Sequence, residues 1–309
     1  MKCLVTGGAG FIGSHLCDRL LADGHSVVCV DNLITGSKDN VSHLLTHPQF
    51  SFLEADVSLP LPDSVRAQLI FHFASPASPP KYQRFPIETL LVNSIGTYHL
   101  LEKAKSWQAR FVYASTSEVY GDPKEHPQRE TYWGNVNPIG PRSCYDESKR
   151  VGESFVSTYT RTFHLDGRIV RIFNTYGPRM DIDDGRIVTN FIKQILSRTP
   201  LTIQGDGSQT RSFCYISDLI EGIMSVFTTP AAQGEVINLG NPEEKTILEL
   251  LDLIKKVSHY SGETVFLPLP EDDPLRRKPD ITKAQNLLHW EAKVGLEEGL
   301  TKTLEYFKK

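Results

Sequence analysis

The chain has 309 residues, of which 39% are hydrophobic and 23% charged, and its formal net charge is −4. This length and composition are typical of a globular enzyme that buries one large core and a smaller one. The small net charge and the lack of a basic block argue against nucleic acid as a partner. No apolar run reaches the ~18 residues of a membrane-spanning helix.

Five cysteines, an odd number, stand mostly within apolar segments and show no C-x-x-C spacing. Thiols of this kind are typical of a reducing compartment and indicate neither disulfides nor a metal site. The first predicted strand begins at Lys2, which leaves no room for a signal peptide. We therefore expect a cytoplasmic protein without a bound metal, unless a longer membrane-anchored chain was trimmed.

The first predicted elements are a short apolar strand, a glycine-rich turn and a helix over residues 14–21. The glycines of the turn allow a tight bend, close approach of the backbone to a pyrophosphate, and close packing of the helix on the strand. The helix N-terminus then offers free N–H groups to the phosphates. This pattern predicts dinucleotide binding at Gly7, Gly10, Phe11, Ile12 and Gly13.

A second apolar run, residues 26–30, ends in a carboxylate at Asp31. A carboxylate at this strand end accepts hydrogen bonds from the adenosine ribose hydroxyls and would repel a 2′-phosphate. The next residues, Asn32 and Leu33, supply no arginine for such a phosphate. The pattern favours NAD over NADP, and an ordinary turn residue is the alternative for Asp31.

Further strand-like runs follow at residues 50–53, 69–73, 110–114 and 168–173, with helical patterns at 86–105 and 148–164. Alternation of strands and helices predicts a doubly wound parallel sheet of the α/β class. After about residue 177 the pattern changes to short helices, at 187–197 and 247–258, joined by proline-rich connections.

This change of pattern near residue 177 predicts that the chain has two structural regions. We predict an NAD-binding domain over residues 1–176 and a smaller, mainly substrate-binding α/β lobe over residues 177–309, with interleaving of the two allowed. The cleft between them is the expected place for a substrate.

Tyr145 and Lys149 lie four residues apart in a predicted helix, so their side chains project from one face. The ammonium group there would favour the phenolate and lower the tyrosine pKa, which makes a general base near neutral pH. This spacing alone is common on exposed helices. Polar residues after the strand at 110–114 strengthen the prediction of a general base, because Thr116 can hydrogen-bond a substrate hydroxyl beside Tyr145.

Six further motifs occur in order along the chain, at residues 116–118, 137–142, 145–150, 174–180, 207–211 and 273–280. With the glycine-rich start, they make the chain similar to the extended short-chain dehydrogenase/reductase superfamily and, within it, to the UDP-glucuronate decarboxylase (UDP-xylose synthase) family. The resemblance covers almost the whole chain. It implies a Rossmann-type doubly wound sheet with a smaller C-terminal substrate-binding lobe.

Families related to this one differ in the two residues that follow the position of Thr116. The dTDP-glucose 4,6-dehydratases carry an Asp-Glu pair there, whereas Ser117 precedes Glu118 in this chain, and 4-epimerases usually lack the glutamate. The comparison favours a decarboxylase. A UDP-sugar 4-epimerase, a 4,6-dehydratase and a non-catalytic sensor of NAD or sugar nucleotides remain the alternatives.

The resemblance implies that UDP-glucuronate is converted to UDP-xylose and CO2 by NAD-dependent oxidation at C4, loss of CO2 from the β-keto acid, and re-reduction. It also implies a homodimer formed through the helices at 86–105 and 148–164. The catalytic residues it implies are Thr116, Glu118, Tyr145, Lys149 and Arg277. Beyond those above, the cofactor contacts it implies are Asn32, Thr35, Gly36, Asp56, Val57, Phe73, Ser75, Tyr145, Lys149 and Arg186.

Substrate contacts are likewise implied, with Arg211 on the diphosphate as the positive arm of a clamp. The full set is Tyr82, Ser117, Glu118, Asn174, Val188, Asn190, Gln204, Arg211 and Arg277. Taken singly, Arg211 and Arg277 would be read as surface charges, Asn174 as a turn residue and Tyr82 as loop packing.

Overall fold

The computed structural model describes residues 1–269 and 276–308, and a parallel seven-stranded sheet forms its centre. Up to residue 176 the helices and strands are β1 (Lys2–Thr6), α1 (Phe11–Ala22), β2 (Ser26–Asp31), β3 (Phe50–Glu54), β4 (Leu69–His72), α2 (Pro79–Arg84), α3 (Pro86–Leu91), α4 (Thr97–Trp107), β5 (Arg110–Thr116), α5 (Ser143–Phe163), β6 (Gly167–Ile172) and β7 (Thr175–Tyr176). The later ones are α6 (Ile187–Ser197), β8 (Leu201–Gln204), β9 (Thr210–Ser212), β10 (Cys214–Tyr215), α7 (Ile216–Thr228), β11 (Val236–Leu239), β12 (Glu244–Thr246), α8 (Ile247–Ser258), β13 (Thr264–Leu267), β14 (Arg276–Arg277), α9 (Thr282–Leu288) and α10 (Leu296–Phe307).

The strand order of the main sheet is β11-β6-β5-β4-β1-β2-β3, and each neighbouring pair is parallel. The chain runs outward from β1 through β2 to β3 and then returns to the other side of β1 with β4. A crevice opens at such a reversal, outside the carboxyl ends of the strands, and ligands of open α/β sheets bind there. The predicted doubly wound parallel α/β sheet is confirmed.

Helices cover both faces of this sheet, which explains why its strands are almost continuously apolar. Alternate residues of β1 belong to different cores: Cys3 and Val5 pack with α1 and α7, whereas Leu4 packs with α4 and α5. The sheet is therefore the middle layer of three, and its edge at the strand ends is free to form a site.

Residues beyond 177 also contribute to the main sheet. β11 pairs with β6 in parallel, and α7 packs against α1 and β6. Other late strands form small sheets of their own, in the orders β10-β7, β12-β9-β14 and β13-β8. The two regions interleave in this way, and the boundary near residue 177 remains a prediction.

The two long predicted helices differ in their bounds from the sequence patterns. The helix expected at 86–105 is divided by a π turn at Val92–Gly96, where the buried Asn93 amide donates to the hydroxyls of Ser75 and Ser148 at 3.0 and 3.1 Å. α5 begins at Ser143, five residues before its predicted start, so Tyr145 lies in its first turn.

No helix within residues 1–269 and 276–308 combines the length and apolar character required to cross a membrane. Asp273, Pro274 and Leu275 of the last sequence motif lie outside the described residues.

Candidate active site

A cavity of about 700 Å³ opens at the carboxyl ends of the central strands, within the usual size range of small-molecule sites. All but one of the predicted site residues line it: Gly7, Gly10, Phe11, Ile12, Gly13, Asp31, Asn32, Thr35, Gly36, Asp56, Val57, Phe73, Ser75, Tyr82, Thr116, Ser117, Glu118, Tyr145, Lys149, Asn174, Arg186, Val188, Gln204, Arg211 and Arg277. The exception is Asn190, whose side chain donates to the Gly185 carbonyl at 2.8 Å in the first turn of α6.

The glycine-rich turn has the shape of a phosphate cradle. Gly7 has φ +70°, and a Cβ there would lie 2.7 Å from the backbone of Ala74. A Cβ on Gly13 would lie 2.1 Å from the Gly7 carbonyl oxygen, so side chains at these positions would fill the turn. α1 begins just after Gly10, and no side chain among the described residues caps it. Its first N–H groups are thus available to an anion.

Asp31 ends β2 at the cavity wall and is buried. Its carboxylate accepts hydrogen bonds from the backbone N–H groups of Ala9 and Leu33 at 3.0 and 2.9 Å. Burial raises its pKa, and these bonds oppose the shift. Gly36 lies so close that a Cβ would approach the carboxylate oxygen to 2.9 Å. Because a carboxylate has about four acceptor positions, Asp31 can still accept from ribose hydroxyls. The turn and Asp31 together fit NAD.

Tyr145 and Lys149 are both buried on one face of α5. Lys149 Nζ donates to the Ala114 carbonyl at 2.8 Å and lies 5.8 Å from the centre of the Tyr145 ring. Burial lowers the pKa of Lys149 to about 7, and the charge of Glu153 opposes this shift. The pair therefore has the predicted placement.

The predicted lowering of the Tyr145 pKa is wrong for the protein itself. Burial raises this pKa above its ordinary value, and the hydrogen bond with Thr116 opposes the rise. The Glu118 carboxylate adds to the rise, because a second negative charge nearby is unfavourable. The side chains that favour the phenolate are Thr116, by its hydrogen bond, and Arg186, by its positive charge.

Glu118 lies between two arginines. Arg277 and Arg142 each donate to one of its carboxylate oxygens, and Arg277 also donates to the Gly121 carbonyl at 2.9 Å. Burial would raise the pKa of Glu118, but the two positive charges outweigh burial and lower it to about 2. Glu118 is therefore ionised at neutral pH, and any proton transfer at this residue begins from the carboxylate.

Asp146, next to Tyr145, is a buried carboxyl group whose Oδ1 has no hydrogen-bond partner among the described residues. Burial and the charge of Glu118 raise its pKa to about 8. The unfolded chain therefore ionises first as the pH rises, so Asp146 lowers the stability of the fold progressively between about pH 4 and pH 8.

Asp146→Asn should remove this pH-dependent loss. We expect the midpoint of thermal unfolding of the variant, relative to the unaltered protein, to rise by a few degrees more at about pH 8.5 than at about pH 5. Thermal unfolding followed by circular dichroism at both pH values measures the difference. The same relative midpoint at both would contradict the raised pKa.

Tyr82, Arg211 and Arg186 are further predicted residues that line the cavity. The Tyr82 ring stacks on Tyr145 with centroids 5.0 Å apart and planes 4° from parallel. Arg211 of β9 is the register partner of Arg277 of β14, so two cations lie side by side. Arg186 forms an ion pair with Asp184 at the start of α6.

Arg142 is the main site residue that the sequence analysis missed, since it was noted only as part of a motif. It is the N-cap residue of α5, is buried, and lines the cavity. Its position three residues before Tyr145 was a usable signal, because a helix start beside a reactive tyrosine lies at the site. Other lining residues that were not predicted include Ser78, Thr175, Arg179, Gln209, Phe213 and Ile247.

The parallel sheet, the glycine-rich turn with Asp31, and the Thr116, Tyr145 and Lys149 side chains define an NAD-binding protein of the short-chain dehydrogenase type. Residues 3–240 match the model of the NAD dependent epimerase/dehydratase family. The chain belongs to this family, and NAD is its cofactor.

Curated relatives are similar over the whole chain. UDP-glucuronic acid decarboxylase 1 of Danio rerio is 53% identical over 308 residues, which cover 100% of this chain and 73% of the relative. UDP-glucuronic acid decarboxylase 6 of Arabidopsis thaliana is 51% identical, with 100% and 89% covered. The resemblance to the UDP-glucuronate decarboxylases is confirmed.

Among solved structures, the UDP-glucuronic acid 4-epimerase from Bacillus cereus in complex with UDP-glucuronic acid and NAD is 34% identical, with a TM-score of 0.89 and coverage of 100% of this chain and 99% of that one. The UDP-glucose 4-epimerase from Thermotoga maritima is 33% identical with the same TM-score and coverage. The fold is thus shared with epimerases, and the fold alone does not separate the two reactions.

Proposed function

We propose that this protein is a UDP-glucuronate decarboxylase that forms UDP-xylose and CO2 with NAD as a retained cofactor. The observation that carries the proposal is the Glu118 carboxylate held by Arg277 and Arg142 beside Tyr145. It supports a reaction that needs a fixed charge near the sugar ring in addition to the Tyr145 base. Relatives that match the whole of this chain and have this activity in their names support it independently.

The first part of the reaction uses Tyr145 and Thr116. Tyr145 accepts the proton of the sugar C4 hydroxyl, and Thr116 orients that hydroxyl and stabilises the phenolate by its hydrogen bond. Lys149, fixed on the Ala114 carbonyl, would hold the nicotinamide ribose. When bound, NAD supplies a hydride acceptor at C4 and a positive charge that favours the phenolate.

The second part follows from the oxidised sugar. A ketone at C4 places the C5 carboxylate in the β position, so the electrons left by departing CO2 pass into the ketone as an enolate. Arg277 stabilises the negative charge of the enolate. Because Glu118 already neutralises part of the positive charge of Arg277, Arg277 does not hold the substrate carboxylate too tightly. As a carboxylate, Glu118 directs a proton from solvent to C5 of the enolate. The hydride would then return to C4 while Tyr145 gives its proton back to the C4 oxygen, which completes the pentose.

The 4-epimerase is the second candidate, since solved structures of epimerases share the fold and one of them holds UDP-glucuronic acid. An epimerase must turn the 4-keto sugar over before the hydride returns, and the sugar must keep its carboxylate.

Incubation with UDP-glucuronate, first without and then with added NAD, distinguishes the decarboxylase from the epimerase. CO2 release and a UDP-pentose mass support the decarboxylase, and product without added NAD supports a retained cofactor.

An unchanged mass would contradict the proposal. Chromatography would then be used to look for UDP-galacturonate, because epimerisation does not change the mass. Product there would establish the epimerase. No conversion at all would favour another sugar nucleotide or a sensor.

Self-association and compartment are also part of the proposal. Apolar side chains on α3, α4 and α5 are exposed, among them Ile87, Leu91, Tyr98 and Phe163, and such a patch supports a two-fold homodimer of these helices. The five cysteines are free thiols, four of them buried, which supports a reducing, cytoplasmic compartment.

Leu91→Glu should convert the dimer to a monomer, because the dimer would bury an unpaired carboxylate at a cost of several kcal/mol. Light scattering after size exclusion is expected to give twice the 34.7 kDa chain mass before the substitution and a single chain mass after it. Leu248→Glu on α8 is the matched control, since Leu248 is 40% exposed and Leu91 42%. Dimers in both variants would contradict this interface.

A further inference from the structure

Gln128 is a fully buried amide in the segment between Glu118 and α5. Its side-chain oxygen accepts from the Lys278 backbone N–H at 2.9 Å, and its side-chain N–H donates to the Glu125 carbonyl at 2.7 Å. Its own backbone N–H donates to the Lys278 carbonyl, and its carbonyl accepts from the Asp280 N–H, both at 2.9 Å. Gln128 does not line the cavity, so these bonds act on the chain and not on a ligand.

The segment that Gln128 holds is the one that carries Arg277. Lys278 follows Arg277 directly, so the bond from its N–H fixes the peptide plane on the carboxyl side of Arg277. On the other side, the register of β14 with β9 pairs Arg277 with Arg211. The Arg277 side chain reaches from this short strand to Glu118 and to the Gly121 carbonyl.

Asn238 connects this arrangement to the main sheet. It lies in β11, is fully buried, and donates to the carbonyls of Gln128 and Asp280 at 3.0 and 3.1 Å. Its side-chain oxygen accepts from Tyr120 Oη at 2.8 Å, two residues beyond Glu118. The segments that carry Glu118 and Arg277 are therefore tied to one rigid strand.

We propose that Gln128 is a positioning residue that fixes Arg277 against Glu118. The inference rests on the proposed function, in which Arg277 acts on the reacting sugar. Arg277 has several rotatable bonds and stands on a strand of two residues, so its guanidinium depends on how firmly the adjoining peptide is held. Displacement of a reacting group by about 1 Å can cost about 100-fold in rate.

Gln128→Met tests the proposal, because methionine is of similar length but cannot accept from the Lys278 N–H. The matched control is Gln194→Met, since the Gln194 amide also accepts from one backbone N–H, that of Thr202 at 3.1 Å, and donates to one oxygen at 2.7 Å. We expect kcat to fall at least about tenfold for Gln128→Met and less than about twofold for Gln194→Met. NAD binding should stay unchanged in both.

A double-mutant cycle separates positioning from a general loss of structure. In an Arg277→Ala background, Gln128→Met should change kcat by less than about twofold, because there is no guanidinium left to position. A further tenfold loss in that background, or equal kcat for the two methionine variants, would overturn the inference while leaving the proposed function intact. Full turnover by Arg277→Ala would overturn the inference together with the role given to Arg277 in the reaction, while the decarboxylase activity itself would stand. If Gln128→Met does not fold, Gln128→Asn, one methylene too short to reach Lys278, serves in its place.

Discussion

Tyr145→Phe is expected to lower the turnover of UDP-glucuronate by about 10³-fold while NAD remains bound. The substitution removes only the hydroxyl that exchanges the C4 proton, and it keeps the ring that stacks on Tyr82. The glycine-rich turn and Asp31, which fit the cofactor, are untouched. Turnover is followed by mass spectrometry of the sugar nucleotide, and bound NAD by release from the denatured protein.

Tyr159→Phe is the matched control for this experiment. Tyr159 is buried on the same helix and donates its hydroxyl to Glu102 at 2.5 Å, outside the cavity. Losing that bond should cost about 1 kcal/mol of stability and leave turnover unchanged. Wild-type turnover by Tyr145→Phe would rule out the phenol as the base, and loss of NAD from that variant would mean that the effect lies in cofactor binding.

Much of the fold could be predicted because the strands of a parallel sheet that is covered on both faces are continuous apolar runs, which are visible in the sequence. β2, β4 and β5 are apolar runs, and the helices between them follow from periodicity. β11 could not be assigned to this sheet from the sequence, because it is a four-residue strand far along the chain. Its place beside β6 depends on the packing of α7, which is a tertiary property.

The site likewise contains features that could be predicted from the sequence and features that could not. The glycine-rich turn, Asp31 and the Tyr145-Lys149 spacing are local patterns, so their places in the cavity could be predicted. The position of Arg142 three residues before Tyr145 was a local signal for its place at the site, but its role could not be predicted, because that role comes from contact with Glu118 across two segments. The direction of the Tyr145 pKa was also beyond the sequence, since burial and the Glu118 charge depend on how α5 packs on the sheet.

Glu118→Gln is expected to separate the two halves of the reaction. C4 oxidation uses Tyr145 and Thr116 and should remain measurable as formation of the reduced cofactor. Loss of CO2 should slow by about 10²-fold, because Arg277 without its neutralising charge holds the substrate carboxylate more tightly, and because directed protonation no longer traps the enolate at C5. Rapid mixing, with reduced cofactor and CO2 followed in parallel, measures both steps.

The variant should also be less stable, because Arg277 would stand buried without the carboxylate to which it donates. Breaking such a buried pair costs about 3–5 kcal/mol.

Asp166→Asn controls for this loss of stability. Asp166 accepts from Arg110 and Arg168, at 2.6 and 2.7 Å, and lies outside the cavity. Asp166→Asn should unfold more easily yet keep the normal ratio of CO2 release to oxidation. Equal slowing of both steps in Glu118→Gln would assign Glu118 to substrate binding, and proton delivery at C5 would then have to come from another group.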